Sequence, residues 1–240
     1  VLDGATQNEK LYGGKNAALL AQNATSGQIL AMVGSRDYFD VKNEGNFNVA
    51  TQGLRQPGSS LKPFVYLAGL EKGYTPETVL FDVPTEFVPN NPACPVWPDY
   101  DADENKKCFH PENFDHVFRG PVSVRDALAQ SVNIPAVKML YLVGLKDAVD
   151  VANKFGLTTL DDPGRYGLSL VLGGGAVKLA DLVEAYSVLA DDGAKHAQSM
   201  ILEVKDSKGT VLESWNYSHE QIVDSKYVRE INDILSDKDA

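Results

Sequence analysis

Residues 55–64 read RQPGSSLKPF and contain a Ser-x-x-Lys motif, with Ser59 and Lys62 three residues apart. The Pro-Gly pair before the motif predicts that a helix begins here and runs over about residues 59–72. Side chains three residues apart on a helix lie on one face, so we expect the Lys62 amine beside the Ser59 hydroxyl. This pairing is typical of a serine nucleophile activated by a neighbouring base.

Lys62 can act as a base only if its surroundings lower its pKa. The flanking sequence supplies an apolar wall of low dielectric around the amine, formed by Leu61, Phe64, Val65 and Leu67. A nucleophile in the first helical turn also lies near free backbone N–H groups, which favour a developing oxyanion. Taken alone, the motif is weak and favours a surface cap with a solvated lysine. Together with the second motif below, it predicts acyl transfer through Ser59.

A second motif, Ser-x-Asn, lies about seventy residues later at Ser131 and Asn133, within VRDALAQSVNIPAVKML. Pro135 interrupts the apolar helical face and is expected to leave both residues on a turn. There Ser131 can relay a proton to a leaving group, and Asn133 can hold a substrate amide by its donor and acceptor ends. The alternative is that both side chains only cap the following helix.

The remaining pattern predicts an α+β fold. Apolar runs within 17–33 flank a turn and predict a β-hairpin, and residues 123–155 predict helices with breaks near Asn133 and Gly144. Residues 179–189 carry a core-facing helical stripe. Residues 201–213 predict a second hairpin that continues the sheet, and residues 225–240 predict an amphipathic helix.

Composition excludes several classes of function. The chain has 240 residues, of which 43% are hydrophobic, and a formal net charge of −11. That length supports a substantial core, and the negative charge argues against nucleic acid as a partner. No motif indicates a cofactor. No apolar run reaches about eighteen residues, and the first ten residues lack the pattern of a signal peptide.

Both cysteines, Cys94 and Cys108, lie in a polar insertion over residues 84–118. A disulfide between them would close a ring of about fifteen residues and suits an oxidising, extracytoplasmic compartment. The alternative is a zinc site formed with His110 and His116, but the cysteine spacing is far from the usual zinc-binding pattern. The spacing favours the disulfide.

Other patterns in the chain are weaker. Residues 99–103 have the alternating acids of a calcium loop, but the required glycine is absent, so a solvated acidic loop is predicted. The glycines at 173–175 lack a phosphate-loop pattern and predict a flexible approach to a helix near the cleft. The insertion carries four aromatic side chains, Trp97, Tyr100, Phe109 and Phe114. They could line a substrate groove or pack the loop against the domain, and packing is favoured.

Several segments closely resemble the transpeptidase domain of bifunctional (class A) penicillin-binding proteins in order and spacing, from about Ala17 to Gly209. They include AALLAQNATSGQILAMVGSRDYF, the segment around the Ser-x-x-Lys motif, FRGPVSVRDALAQSVNIPAVKML and LSLVLGGGAVKLADLVEAYSVLADDG. The resemblance implies a penicillin-binding, serine β-lactamase-like fold, with an antiparallel sheet flanked by a helical subdomain. On this basis residues 1–16 are expected to be a linker and residues 17–240 the N-terminal portion of the domain.

The resemblance also implies a function. Such a domain is a D,D-transpeptidase that crosslinks D-Ala-D-Ala stem peptides of peptidoglycan and is covalently inhibited by β-lactams. Ser59 would be the acylated nucleophile, Lys62 its base, Ser131 the proton relay and Asn133 a contact to the substrate amide. The site would be extracytoplasmic, in a parent protein anchored in the membrane by an N-terminal segment outside this sequence and carrying a glycosyltransferase domain.

One family motif, Lys-Thr/Ser-Gly on an edge strand, does not occur in the sequence. Residues 208–210 echo it only superficially, because DSKGT reads as a hairpin turn. We expect a further polypeptide segment to carry that strand, which in the family provides an oxyanion-hole N–H group. The alternatives are a truncated or non-catalytic penicillin-binding module, and a D,D-carboxypeptidase or β-lactamase-like hydrolase. No Glu-x-x-x-Asn follows Asn133 to favour rapid deacylation.

Overall fold

The computed structural model describes residues 2–88, 90–91, 94 and 108–238. The helices are α1 Leu2–Tyr12, α2 Val49–Gln52, α3 Lys62–Glu71, α4 Val124–Ala129, α5 Asn133–Val143, α6 Leu145–Lys154, α7 Leu179–Ala190 and α8 Ser225–Ser236. The strands are β1 Leu19–Gln22, β2 Ile29–Val33, β3 Leu54–Arg55, β4 Val79–Asp82, β5 Gly120–Ser123, β6 Val177–Lys178, β7 Ala194–His196, β8 Glu203–Lys205, β9 Val211–Ser214 and β10 His219–Gln221. Short 3₁₀ turns connect several of them. The fold is α+β, as predicted.

The chain divides into two units, and the first contains most of the strands. It comprises Val1–Pro57, Val149–Pro163 and Gly175–Asn232. Its antiparallel pairs are β1 with β2, β3 with β6, β7 with β10 and β8 with β9. Helix α7 packs against β1 and β7, and its buried side chains are Ala180, Ala185, Ser187, Val188 and Leu189. The stripe predicted to face the core consists of Leu179, Leu182, Val183, Tyr186 and Leu189; only Leu189 is buried and the other four are half-buried, so the prediction is confirmed at that residue alone. Fully buried side chains of this core include Ala50, Phe155, Leu157, Leu160, Ala185 and Val188.

The second unit is mainly helical and comprises Gly58–Ala148, Gly164–Gly174 and Asp233–Ala240. Helix α5 packs against α3 and against the 3₁₀ turn Gly167–Leu172, and β4 pairs with β5. The two helices approach closely at Gly69, where an added Cβ would lie 2.6 Å from the Met139 sulfur. Both helices are apolar around most of their surface, which is the expected pattern for helices enclosed in a core. The core includes Phe64, Leu67, Leu70, Ile134, Met139 and Leu140.

Several expected elements differ in detail from those observed. The motif helix does not begin at Ser59: residues Gly58–Leu61 form a 3₁₀ turn, and the α-helix begins at Lys62. The second hairpin forms, but within the described residues β8 and β9 pair only with each other and do not continue a larger sheet. The predicted linker contains the helix α1, where Glu9 pairs with Arg36 at 2.5 Å. Along the described chain, no helix is long and apolar enough to cross a membrane.

A disulfide and several hydrogen bonds join the two described arms of the insertion. Cys94 and Cys108 form a disulfide with their Cα atoms 5.5 Å apart. The buried Glu86 carboxylate accepts hydrogen bonds from the backbone N–H groups of Val88 and Phe109 at 2.7 and 2.9 Å. Its other oxygen contacts His110 Nδ1 at 2.8 Å. The structure therefore holds the two arms of the insertion together next to the disulfide.

The aromatic residues of the insertion do not all behave as expected. Phe109 packs against Phe87, with ring centroids 5.9 Å apart. Phe114 is 98% exposed, so the expectation that it packs the loop is wrong for this side chain. The preceding residue, Asn113, is by contrast buried. Trp97, Tyr100 and the acidic run 99–103 lie outside the described residues.

Candidate active site

Ser59 lies on the exposed surface of the 3₁₀ turn that precedes α3. Because a 3₁₀ helix has three residues per turn, side chains at positions i and i+3 are eclipsed. Ser59 lies within this turn and Lys62 is the first residue of α3; among the described residues, the hydrogen bonds of Lys62 Nζ go to Ser131 and Asn133. The expected position of the Lys62 amine beside the Ser59 hydroxyl stays a prediction. Gly58 opens the turn with φ of 59°, a conformation that glycine adopts without steric cost. Among the described residues, the Ser59 hydroxyl has no hydrogen-bond partner.

Lys62 is buried, with 1% of its surface exposed, although it carries an amine. Its Nζ donates to the backbone oxygen of Ser131 at 2.6 Å and to Asn133 Oδ1 at 2.8 Å, and lies 3.1 Å from Ser131 Oγ. Burial lowers the pKa of Lys62 to about 8, because the apolar surroundings disfavour the charged form. A substantial fraction of this amine is therefore neutral close to physiological pH.

The three contacts of Lys62 fit both of its protonation states. An ammonium has three N–H donors, which match three acceptor oxygens. A neutral amine keeps two donors and gains a lone pair. The backbone oxygen of Ser131 and the amide oxygen of Asn133 can only accept, so the lone pair can be satisfied only by the Ser131 hydroxyl. The arrangement thus permits proton exchange between Lys62 and Ser131.

Ser131 lies on an exposed turn in a left-handed conformation, with φ of 55°. The turn closes α4 as a Schellman motif: Ser131 N–H donates to the Leu128 carbonyl at 3.0 Å, and Val132 N–H donates to the Ala127 carbonyl at 2.9 Å. Glycine is usual at this position because it avoids a clash of the Cβ atom. A serine here stores backbone strain, which proteins retain mainly at functional sites.

Asn133 is the first residue of α5, so it does not lie on the turn as expected. Its amide oxygen accepts from Lys62, and its Nδ2 donates to the backbone oxygen of Glu112 at 2.8 Å. One N–H of the amide is left for another partner. The amide oxygen also keeps a second lone pair, so the expected clamp on a substrate by both ends of this amide stays a prediction.

The capping alternative for the Ser-x-Asn motif is wrong. The N-cap of α5 is Val132, which makes no side-chain cap hydrogen bond. The cap comes from Asn113, whose Oδ1 accepts from the backbone N–H groups of Asn133 and Ile134 at 3.0 and 3.2 Å. Two of the free N–H groups at the start of the helix are satisfied in this way.

Asn113 is itself held by a second buried residue. Its Nδ2 lies 2.8 and 2.9 Å from the two carboxylate oxygens of Asp82 and 2.7 Å from the Val117 carbonyl. Asp82 is fully buried and also accepts from the backbone N–H of Arg119 at 2.9 Å. Sequence analysis missed both residues. The position of Asp82 and Arg119 at the two ends of the insertion is the one sequence feature that could have indicated a structural contact there.

In the described part of the insertion, the residues considered as zinc ligands already have other partners. One carboxylate oxygen of Glu86 and the sulfur atoms of Cys94 and Cys108 lie within 4.8 Å of one another, but the disulfide leaves neither sulfur as a thiolate. His110 contacts Glu86, and His116 contacts Glu112. The alternative zinc set of Cys94, Cys108, His110 and His116 is therefore not assembled, and the disulfide that the sequence favours is present.

Comparison with known sequences gives a consistent assignment. Residues 17–240 match the family model described as the penicillin binding protein transpeptidase domain. Penicillin-binding protein 1A of Rickettsia bellii is 34% identical over 197 residues, covering 82% of this chain and 22% of the relative. Penicillin-binding protein 1A of Neisseria flavescens is 34% identical over 192 residues, covering 80% and 22%. The chain thus spans about a fifth of the length of these curated relatives.

Solved structures share the fold. Penicillin-binding protein 1A from Haemophilus influenzae matches with a TM-score of 0.77 and 25% identity, covering 94% of this chain and 36% of that one. The penicillin-binding protein PonA1 from Mycobacterium tuberculosis matches with a TM-score of 0.74 and 19% identity, covering 97% and 58%. With the family model matching residues 17–240, this chain belongs to the penicillin-binding protein transpeptidase domain family.

Proposed function

We propose that this chain carries the nucleophile half of a serine D,D-transpeptidase site that crosslinks D-Ala-D-Ala stem peptides of peptidoglycan. One observation supports this proposal above the others: a buried lysine with its pKa lowered to about 8 lies three residues from an exposed serine. A buried, partly neutral amine is the property that a general base requires. A solvated surface lysine would remain charged.

In the acylation step, Ser59 Oγ attacks the carbonyl carbon of the penultimate D-Ala while Lys62 takes the hydroxyl proton. The C–N bond of the scissile peptide then breaks, and its electron pair stays with the departing D-Ala amine. Lys62 returns the proton to that amine through Ser131, whose Oγ lies 3.1 Å from Nζ. An ester between Ser59 and the stem peptide remains.

In the second step, the amine of a neighbouring stem peptide attacks the ester carbonyl. The ester C–O bond breaks, Ser59 leaves as the alkoxide, and it recovers a proton from Lys62, which takes one from the attacking amine. The remaining N–H of Asn133 is available to a substrate carbonyl. This sequence of steps produces the crosslink and regenerates the serine without a cofactor.

The proposal includes a further polypeptide segment with the family's Lys-Thr-Gly strand. That strand would bind the substrate carboxylate and supply an oxyanion-hole donor, which can be worth ~10²–10³ in rate. Peptidoglycan substrates place the site outside the cytoplasmic membrane, and a parent protein with an N-terminal anchor would hold it there. The disulfide is compatible with such an oxidising compartment.

The proposal also includes covalent inhibition by β-lactams, which would acylate Ser59 in place of the stem peptide. The PonA1 protein from Mycobacterium tuberculosis, which shares this fold, was solved in complex with penicillin V. Fold likeness alone does not transfer that chemistry. Acylation of this chain by β-lactams is instead supported by its exposed Ser59 and buried Lys62.

Intact mass spectrometry of the complete parent protein with benzylpenicillin tests the proposal, followed by peptide mapping. We expect one stable penicilloyl group on Ser59, none in Ser59→Ala, and retention of labelling in the neighbouring control Ser60→Ala. Rapid loss of the label would indicate a β-lactamase-like or carboxypeptidase-like hydrolase. A folded wild type without any label would identify a non-catalytic module and overturn the proposal.

A further inference from the structure

We infer that Asn113, oriented by Asp82, is a positioning residue that sets the location of Asn133 and Ser131 relative to Lys62. The inference rests on the proposed function for its kinetic consequences. Neither Asn113 nor Asp82 is placed in contact with substrate, so neither is a catalytic residue. Both act through the start of α5.

The Asn113 side chain has hydrogen-bond partners for both its NH₂ group and its oxygen. The side chain is 3% exposed, and its amide makes contacts at both ends. The NH₂ group faces Asp82 and the Val117 carbonyl, while the oxygen receives two backbone N–H groups of α5. A fully satisfied buried polar group has one favourable orientation, because any rotation leaves buried groups unpaired.

Asn113 is linked to Lys62 through Asn133. The oxygen of Asn113 binds the backbone of Asn133, whose own side chain binds Lys62. The backbone of the adjacent residue, Glu112, accepts from the Asn133 amide. Asn133 is therefore fixed at both its backbone and its side chain by two consecutive residues of the insertion. Displacement of that loop would move the acceptor away from Lys62.

Asp82 orients the side-chain amide of Asn113. It is fully buried at the end of β4 and accepts from Asn113 and from the backbone of Arg119. The guanidinium Nη1 of Arg119 also lies 3.7 Å from the Asp82 carboxylate. Asp82 thus binds residues on the returning arm of the insertion and fixes which end of the Asn113 amide faces α5. Because the Asp82 carboxylate can only accept, the NH₂ group of Asn113 must face it. The oxygen of Asn113 is then free to accept from the backbone N–H groups at the start of α5.

The test uses the complete parent protein and measures how fast Ser59 is labelled by benzylpenicillin. Asn113→Leu keeps the volume but removes every hydrogen bond. Asn113→Asp keeps the cap but places a second carboxylate against Asp82. The exchange Asp82→Asn with Asn113→Asp restores a donor facing an acceptor. Asn153→Leu is the matched control, because the half-buried Asn153 also donates from its side-chain amide to a backbone carbonyl, that of Leu160, and belongs to the other unit.

We expect the limiting labelling rate constant to fall about 10–100-fold in Asn113→Leu, since a displacement of about 1 Å can cost that much. Asn113→Asp should be intermediate, and the exchanged pair should return to within about fivefold of wild type. The benzylpenicillin concentration at half-maximal rate should change less than about threefold, because Asn113 does not contact the ligand. The Asn153→Leu control should match wild type.

A merely structural role gives a different result. It would reduce the fraction of protein that becomes labelled and leave the rate constant of the labelled fraction unchanged, and that result would overturn the inference. If Asn113→Leu yields too little folded protein, the comparison of Asn113→Asp with the exchanged pair decides. Equal rate constants in those two variants would also reject a positioning role.

A second readout does not depend on acylation. The NMR titration of Lys62, followed at its ε-carbon, should shift to lower pH by at least about half a unit in Asn113→Leu, because the ammonium loses the Asn133 acceptor. It should return in the exchanged pair. An unchanged titration overturns the inference even if wild type is not acylated, whereas an absence of acylation with a shifted titration overturns only the proposed function.

Discussion

Gly173 lies directly against the backbone of Gly58, so that a Cβ atom added to Gly173 would come within 2.5 Å of the Gly58 Cα and N atoms. Gly173 also has φ of 95°, where it ends the 3₁₀ turn Gly167–Leu172. Only glycine combines this conformation with this approach. The glycines at 173–175 were expected to lead into a helix. Gly173 instead ends a 3₁₀ turn and supports the turn that carries Ser59.

Gly173→Ala should therefore destabilise the protein by about 2–4 kcal/mol, from backbone strain and overpacking together. It should also slow labelling of Ser59. Gly73→Ala is the matched control, because Gly73 has φ of 94° but open space around the added Cβ. Denaturant unfolding should give a cost for the control of only about 1 kcal/mol. Equal costs would mean that the contact with Gly58 is unimportant.

The rate of Ser59 labelling should depend on pH through Lys62. Its pKa is lowered to about 8 by burial, and only the neutral amine can accept a proton. The rate constant should therefore rise about tenfold per pH unit below that value and level off above it. A pH profile between 6 and 9 with a stable β-lactam measures this dependence. Lys72→Met should keep the same profile, whereas a flat profile in wild type would exclude Lys62 as the base.

The left-handed conformation of Ser131 predicts a stability difference between two variants that both lack the hydroxyl. Ser131→Gly should be more stable than Ser131→Ala by about 1 kcal/mol, because glycine adopts φ of 55° without strain. Denaturant unfolding measures the difference. Both variants should label Ser59 more slowly than wild type. Greater stability of the alanine variant would contradict the assigned backbone strain.

The disulfide should stabilise the domain through its effect on the unfolded chain. Cys94 and Cys108 are 14 residues apart in sequence, and the chain-entropy estimate for such a ring is about 3 kcal/mol. The double variant Cys94→Ser with Cys108→Ser should lose up to about that amount of unfolding free energy. A reductant should lower the stability of wild type toward the variant and leave the variant unaffected. No response of wild type to reduction would refute the prediction.

Much of the secondary structure could be predicted because its signals are local. The stripe over residues 179–189 indicates α7, and the breaks at Gly144 and near Asn133 separate α4, α5 and α6. The first hairpin also follows from its apolar runs and turn. These patterns depend on side chains a few residues apart, which contact one another or share one face whatever the rest of the chain does.

The details of the site were less predictable. The sequence indicated a Ser-x-x-Lys helix, but the positive φ of Gly58 and the contact with Gly173 accompany a 3₁₀ turn instead. Likewise, Ser131 and Asn133 were expected to share a turn, yet only Ser131 lies on it. The capping of α5 by Asn113 could not be read from the Ser-x-Asn motif, because the capping residue lies 20 residues away in sequence.

Residue type and short-range spacing specify the family motifs, the helical and strand periods, and the position of the cysteines. The burial of Lys62 against Ser131 and Asn133, about seventy residues away in sequence, arises from the packing of the folded chain. The same packing brings Asp82 and Asn113 to the start of α5, where they hold Asn133 in place. Desolvation and hydrogen bonding depend on which groups the folded chain brings together, and spacing along the sequence does not define that set.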